Sequence, residues 1–287
     1  MQWSKQRAGL RAILTGNVCI RPGSVYDAVS ARIAEDLGFE LGMLGGSTAS
    51  LTVLGDPDLM LITLSELAET VHRIARAGSL PLLVDADHGF GNALNVRRTV
   101  QELESAGAAG LTIEDTLLPM PYGQAKPQLI SLDEGVGKMK AAVDARVDPN
   151  LTIFARTGAN ITNIDDAVAR AKAYETTGVD ALFFTGIRTR AELEKARAAT
   201  KLPIMLGTTE AELDDIAYLT SMGVRIANQG HTPFAAASLA VYETLKALRE
   251  GTRPKDLKGL PSTDFVNRYM RNADVQKRSG DFLGMKK

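Results

Sequence analysis

Short apolar runs alternate with amphipathic segments along almost the whole chain, and this rhythm limits the folds open to it. The runs lie at residues 18–20, 41–44, 82–84, 111–113, 151–155, 181–184, 203–206 and 224–227. Each is too short for a buried helix and is bounded by Gly, Pro or charge, as a strand buried on both faces should be. Helix-period segments fill the gaps at 25–37, 64–77, 96–106, 135–145, 164–176 and 191–199. Gly38, Gly78, Gly107, Gly178 and Gly223 stand where helices give way to strands, the place for a left-handed C-cap. Strand and helix alternating eight times predict a (β/α)₈ TIM barrel over residues 1–250, with an open doubly wound sheet as the alternative. After Glu250 the rhythm stops. Residues 251–287 read as a C-terminal helical arm that packs on a neighbour, too short for a domain of its own.

Composition excludes several function classes. With 33 Lys+Arg against 34 Asp+Glu, the chain lacks the charge surplus that recruits nucleic acid. Its one cysteine, Cys19, allows neither an internal disulfide nor a thiolate metal cage. No apolar run nears the roughly 20 residues of a membrane span, and the N-terminus has no apolar signal core. A cytoplasmic protein without nucleic-acid or membrane partners is expected.

The chemistry gathers where strands end. Asp85-Ala86-Asp87-His88-Gly89-Phe90-Gly91-Asn92 continues the run 82–84, and Glu114-Asp115 continues the run 111–113. In α/β folds the carboxyl ends of neighbouring strands converge on one site. Carboxylates crowded there repel one another and are costly to desolvate. A hard divalent cation resolves that conflict, so Mg²⁺ is expected, Mn²⁺ being the other admissible ion. Helix caps and turns account for most isolated aspartates in such folds. They explain Asp115 easily and Asp85 poorly, because Asp85 directly extends an apolar strand.

Three more strand ends carry polar groups. Gly45-Gly46-Ser47 follows the run 41–44 and reads either as an anion-accepting turn or as a plain flexible one. Arg156 follows Ala155 and needs a carboxylate partner, in a ligand or in a salt bridge to Glu114. His231, in Asn228-Gln229-Gly230-His231, is placed to orient a substrate or move a proton, or to serve a helix start. His88 is placed to support a metal site, and His72 reads as a surface residue. Phosphate-loop, zinc-protease and nucleophile-elbow motifs are absent, and Gly89-Phe90-Gly91 lacks the third glycine of a dinucleotide fingerprint.

Gly45-Gly46-Ser47, Asp85 to Asn92, Ile113-Glu114-Asp115 and Ala155-Arg156-Thr157, in that order, resemble the isocitrate lyase / phosphoenolpyruvate mutase superfamily. The resemblance implies a (β/α)₈ barrel, and a homotetramer built as a dimer of dimers with a helix exchanged between subunits. It also implies Mg²⁺ and an α-keto acid or its enolate as ligands. By position, Asp85 resembles the direct metal ligand, Asp87 and Glu114 ligands acting through water, Gly46 and Ser47 the keto-acid loop, and Arg156 the carboxylate-binding arginine. The lyases of the superfamily carry a cysteine after Glu-Asp, whereas this chain reads Thr116-Leu117-Leu118-Pro119 and has no Cys in that loop. It therefore looks most like the oxaloacetate decarboxylase branch, in which a histidine matched here by His231 lines the substrate pocket. Two features depart from that branch: Gln229 stands where it has Asn, and Gly207-Thr208-Thr209 where it tends to carry a tyrosine.

The implied reaction makes chemical sense for these residues. Losing CO₂ from a β-keto acid needs an electron sink at the ketone and no general base. The enolate then needs a proton, from His231 or from water on the metal. The alternatives are cleavage of a C–C bond in a substituted malate or methylisocitrate, with Asp56 or Asp58 as base, cleavage of a P–C bond, or keto-acid binding without catalysis.

Overall fold

The computed structural model describes residues 3–285 and shows eight parallel strands in sequential order, β1 to β8, neighbour hydrogen-bonded to neighbour. The strands are β1 (Gly23–Ser24), β2 (Gly42–Leu44), β3 (Leu82–Asp85), β4 (Gly110–Glu114), β5 (Thr152–Gly158), β6 (Ala181–Thr185), β7 (Ile204–Leu206) and β8 (Val224–Ala227). Ile20, just ahead of β1, pairs in parallel with Ile226 of β8. Its N–H donates to Arg225 O and its carbonyl accepts from Ala227 N, which carries the sheet round into a barrel. The predicted fold class is thus observed.

Two cores follow from the strand pleat. Residues pointing inward (Met43, Leu83, Ala109, Phe154, Phe183, Met205, Ile226) fill the barrel. The helix α1 (Ser4–Thr15) adds Leu10 and Leu14 to that cluster, at the end where strands begin. Residues pointing outward (Val84, Leu111, Ile113, Ile153, Leu182, Phe184) pack under the surrounding helices. These are α2 (Ala28–Asp36), α3 (Gly46–Val53), α4 (Leu64–Ala75), α5 (Ala93–Ala106), α6 (Leu132–Ala145), α7 (Ile164–Glu175), α8 (Arg190–Ala199) and α9 (Ile216–Ser221). Side-chain caps set many of their starts: Asn92 accepts from Leu94 N and Asn95 N at α5, and Thr63 with Glu66 forms a capping box at α4. Gly107 closes α5 at φ +111°, and a Cβ there would run into Ala75 and Trp3, so a side chain would be both strained and crowded.

Three expectations shift. The first strand is Gly23–Ser24 rather than 18–20, because the apolar run before it contributes the bridging Ile20 instead. Gly45-Gly46-Ser47, expected as a turn, instead opens the helix Gly46–Val53. Gly78 is not in the left-handed region that the other four helix-ending glycines adopt; it lies against the Glu35 side chain.

The chain separates into compact units at Met1–Thr232 and Pro233–Lys287, one helix earlier than the break expected at residue 250. The second unit contains α10 (Thr232–Arg249) from its second residue on, α11 (Thr263–Tyr269) and α12 (Asn272–Leu283). α10 buries none of its residues, and Leu239, Val241, Tyr242, Leu245 and Leu248 are exposed. In this unit Tyr269 is buried beside Phe265, while Leu260, Phe265, Val266 and Met270 are exposed. Among the described residues no helix is long and apolar enough to cross a membrane.

Candidate active site

The carboxyl ends of β3, β4 and β5 bring Asp85, Glu114 and Arg156 together. Arg156 donates through Nη1 to Asp85 Oδ2 at 2.7 Å, and its Nη2 lies 3.3 Å from Glu114 Oε2. Strand register makes this inevitable, since Glu114 and Arg156 are direct partners across β4 and β5. Both readings of Arg156 therefore bear on one residue: it is ion-paired within the protein, and it stands at the site. Its guanidinium also lies 5.4 Å from the Phe183 ring, and its Nε is buried without a partner. Surrounding carboxylates outweigh burial and raise its pKa further.

Asp85 is held on both sides. Its Oδ1 accepts from Thr112 Oγ1 at 2.9 Å and from Asp87 N at 3.2 Å. Glu114 accepts from Thr116 Oγ1 at 2.7 Å, and burial pushes its pKa up despite Arg156. Asp87 differs. It sits at φ +46° and is 4% exposed, with Oδ2 buried and unpartnered. Burial first, then Asp85, Glu114 and Asp58, drive its pKa well above the usual carboxylate range. A Cβ on Gly46 would overlap the Asp87 carboxylate, so only glycine fits at the first residue of α3.

Among the described residues no three His, Cys, Asp or Glu side chains stand close enough to ligate one ion directly. The donor set nonetheless fits a hard cation. It is all oxygen, mutually repelling, and includes a buried oxygen with no hydrogen bond.

β2 leads into α3, whose N-terminus carries Ser47, half-buried, and has no side-chain cap. Its first amides are thus free of a capping side chain. Opposite, His231 Nδ1 lies 2.9 Å from Ser24 Oγ, and its Nε2 edge packs on Gly45, where a Cβ would collide with it. Burial holds the His231 pKa below its usual value, against the pull of Asp85 and Asp58. Asp58, in the loop after α3, is pushed up by burial and by Asp85, and feels Arg156 and His231. All seven residues expected at the site, Gly46, Ser47, Asp85, Asp87, Glu114, Arg156 and His231, thus lie at strand carboxyl ends, in the loops that follow or, for Gly46 and Ser47, at the start of α3.

Other residues take different places. Asp115 is not an exposed cap; it is fully buried behind the sheet, accepting from Tyr174 OH at 2.6 Å, Thr157 Oγ1 at 3.0 Å and Arg170 Nη1 at 3.2 Å. His88 is buried beside Phe90, and burial brings its pKa down to about 4, so it is neutral. His72 is exposed, as expected. Cys19 is buried and its thiol is pushed up to about 11 by burial, unsuited to acid–base work at neutral pH.

Sequence reasoning missed the supports Ser24, Thr112, Thr116 and Lys138. Lys138 had a legible signal: it falls on the apolar stripe of α6 with Gly135, Met139, Ala142 and Ala145. The three hydroxyls had none, since Ser and Thr occur freely at strand ends.

Residues 10–249 match the family model described as phosphoenolpyruvate phosphomutase. The chain is 66% identical over 286 residues to an oxaloacetate decarboxylase of Bradyrhizobium sp. (strain ORS 278), covering 99% of each. Among solved structures, oxaloacetate acetylhydrolase in complex with the inhibitor 3,3-difluorooxalacetate matches with TM-score 0.85 at 27% identity, covering 98% of both chains. Phosphonopyruvate hydrolase in complex with oxalate and Mg²⁺ matches with TM-score 0.84 at 28% identity, covering 97% of this chain and 99% of that one.

Proposed function

The chain belongs to the phosphoenolpyruvate phosphomutase family, and from that premise we propose that it is an enzyme converting oxaloacetate to pyruvate and CO₂. The full-length likeness to an oxaloacetate decarboxylase carries this reading. The site supports it: paired carboxylates and an arginine meet at the strand ends, with no thiol among them.

The carboxylates are the groups that would hold Mg²⁺, or Mn²⁺ in its place: Asp85 directly, Asp87 and Glu114 through water. Such a cation supplies Lewis acidity at the ketone oxygen, where charge develops as CO₂ leaves. Arg156 meets a substrate carboxylate with its planar fork, and its unpartnered Nε marks donor capacity the protein leaves unused. The uncapped amides of Gly46 and Ser47 take the keto-acid oxygens. In the reaction the C3–C4 bond breaks and CO₂ leaves, the bonding electron pair enters the enolate, and C3 then takes a proton from water to give pyruvate. His231 is neutral at pH 7, because burial lowers its pKa. We assign its ring proton to Nε2, which makes the Ser24 hydroxyl the donor to Nδ1. The histidine then serves as a hydrogen-bond donor to the bound acid rather than as a store of charge.

The test is pyruvate release by purified protein, set against the spontaneous metal-catalysed rate and repeated in EDTA. Turnover above background that EDTA abolishes is expected. Unchanged oxaloacetate, with cleavage of a substituted malate, would replace this reading with a C–C lyase. Asp58 favours that second reading, since its raised pKa and its coupling to Asp85 suit a base.

The same reading takes the protein as a cytoplasmic homotetramer, a dimer of dimers in which a helix is exchanged. The apolar face of α10, exposed within its own chain, supports it. Sedimentation as a monomer at micromolar concentration would refute that assembly.

A further inference from the structure

A lysine lies buried behind the acidic loop. Lys138, on α6, is 2% exposed, and among the described residues it forms no ion pair. Its Nζ donates to the main-chain carbonyl of His88 at 3.0 Å. A buried ammonium without a carboxylate partner is costly, and an apolar residue would suit that stripe of α6 better. The hydrogen bond it makes lies one residue from Asp87.

That loop needs holding. Asp87, Gly89, Phe90 and Gly91 all have positive φ, and two of them are not glycine. Three successive carbonyls are tied down from three different elements. Asp87 O accepts from Glu114 N of β4 at 2.8 Å, His88 O from Lys138 of α6, and Gly89 O from Thr99 Oγ1 of α5 at 3.0 Å. Only the middle tie is charged, and a charged donor makes the stronger bond. The long lysine stem lets a rigid helix reach the loop from behind without entering the site.

We propose that Lys138 is a positioning residue that fixes the left-handed main chain at Asp87 by gripping the His88 carbonyl, and so aims the unpartnered Asp87 oxygen at a divalent cation. This rests on the reading of Asp87 as a metal-holding group. Three roles for Lys138 differ in sign. A positioning role predicts weaker metal binding when it is lost. A purely electrostatic role predicts tighter binding, because a cation near Glu114 and Asp115 would be gone. A purely structural role predicts lower stability with metal affinity unchanged.

The experiment is Mn²⁺ binding by the full-length protein, followed by electron paramagnetic resonance, with Tm measured in EDTA. Lys138→Met keeps the length and removes the donor. We expect its Mn²⁺ Kd to rise tenfold or more, in the range seen when groups orienting metal ligands are removed, while Tm in EDTA changes little. If it does not fold, Lys138→Gln, which is shorter and uncharged, is measured against the same threshold. Wild-type affinity, or tighter binding, in the variant measured overturns the proposal. Asp85→Ala separates the two levels. If that variant loses Mn²⁺ while Lys138→Met retains it, only the role of Lys138 falls. If the wild type itself binds no Mn²⁺, the metal reading falls and the role of Lys138 falls with it.

Discussion

The two ends of the barrel bury charge in opposite ways. Where strands begin, Arg7 of α1 donates to Asp148 Oδ2 at 2.9 Å, to Glu104 O and to Ala108 O. The Glu104 carboxylate accepts from Val147 N and Asp148 N, and Asp148 Oδ1 accepts from Asn150 N. Every carboxylate oxygen there has a donor. Where strands end, the buried Asp87 Oδ2 has none. The pKa shifts mirror this. Burial raises Asp148, but the Arg7 and Asn150 hydrogen bonds outweigh it and leave its pKa lowered. Burial and like charge raise Asp87 with too little to offset them. A network satisfied by the protein serves stability, and one left unsatisfied awaits a ligand.

Mutation at each end should therefore damage a different property. Asp85→Ala should lower kcat/KM for oxaloacetate a thousandfold or more, about 4 kcal/mol of transition-state stabilisation. Its Tm in EDTA should stay within a few degrees of wild type, because repulsion with Asp87 is relieved as the Arg156 contact is lost. Turnover above about a tenth of wild type would break the comparison at its functional end. Arg7→Met should do the reverse. Breaking a buried ion pair strands Asp148 and costs about 3 kcal/mol in denaturant unfolding, while kcat of the folded fraction holds. Unchanged stability in that variant would show that the lower network is not structural.

How far this contrast is legible in sequence depends on what each end does to pattern. Seven of the eight strand positions could be read because strands buried on both faces become short apolar runs. Asp85 and Glu114 stood out because each is charged and extends such a run. β1 could not be read: Gly23–Ser24 carries no apolar signature. Nor could α3, where glycines required by Asp87 and His231 mimic a turn. Asp115 was mistaken for a cap because the Arg170 and Tyr174 that bury it lie 55 and 59 residues away. The lower network is equally non-local, with Arg7 and Asp148 separated by 141 residues. Acidic residues at strand ends reveal a site; partners brought together by the fold do not reveal themselves.

Arg156→Lys sharpens the functional side. Lysine keeps the charge near Asp85 but cannot offer two parallel N–H bonds. Steady-state kinetics should show KM raised about tenfold or more, roughly 1.4 kcal/mol, with Tm little changed. Wild-type KM and kcat would assign Arg156 to holding Asp85 and Glu114 alone.

The smallest effect expected is a pH dependence at the lower end. The folded Asp148 pKa lies below its ordinary value of 3.8. Such a group binds fewer protons folded than unfolded, so its contribution is fully present above the unfolded pKa and is lost as pH falls through the folded one. Between neutrality and pH 5 the Arg7–Asp148 pair should thus contribute a constant amount, and below about pH 4 it should fade. Asp148→Asn removes the titration. Thermal melts in EDTA should place the variant below wild type by a few degrees at pH 7, with the gap closing below about pH 4. A gap that stays constant as pH falls would mean that Asp148 is no better paired in the folded chain than in the unfolded one, and the two ends of the barrel would then differ only in geometry.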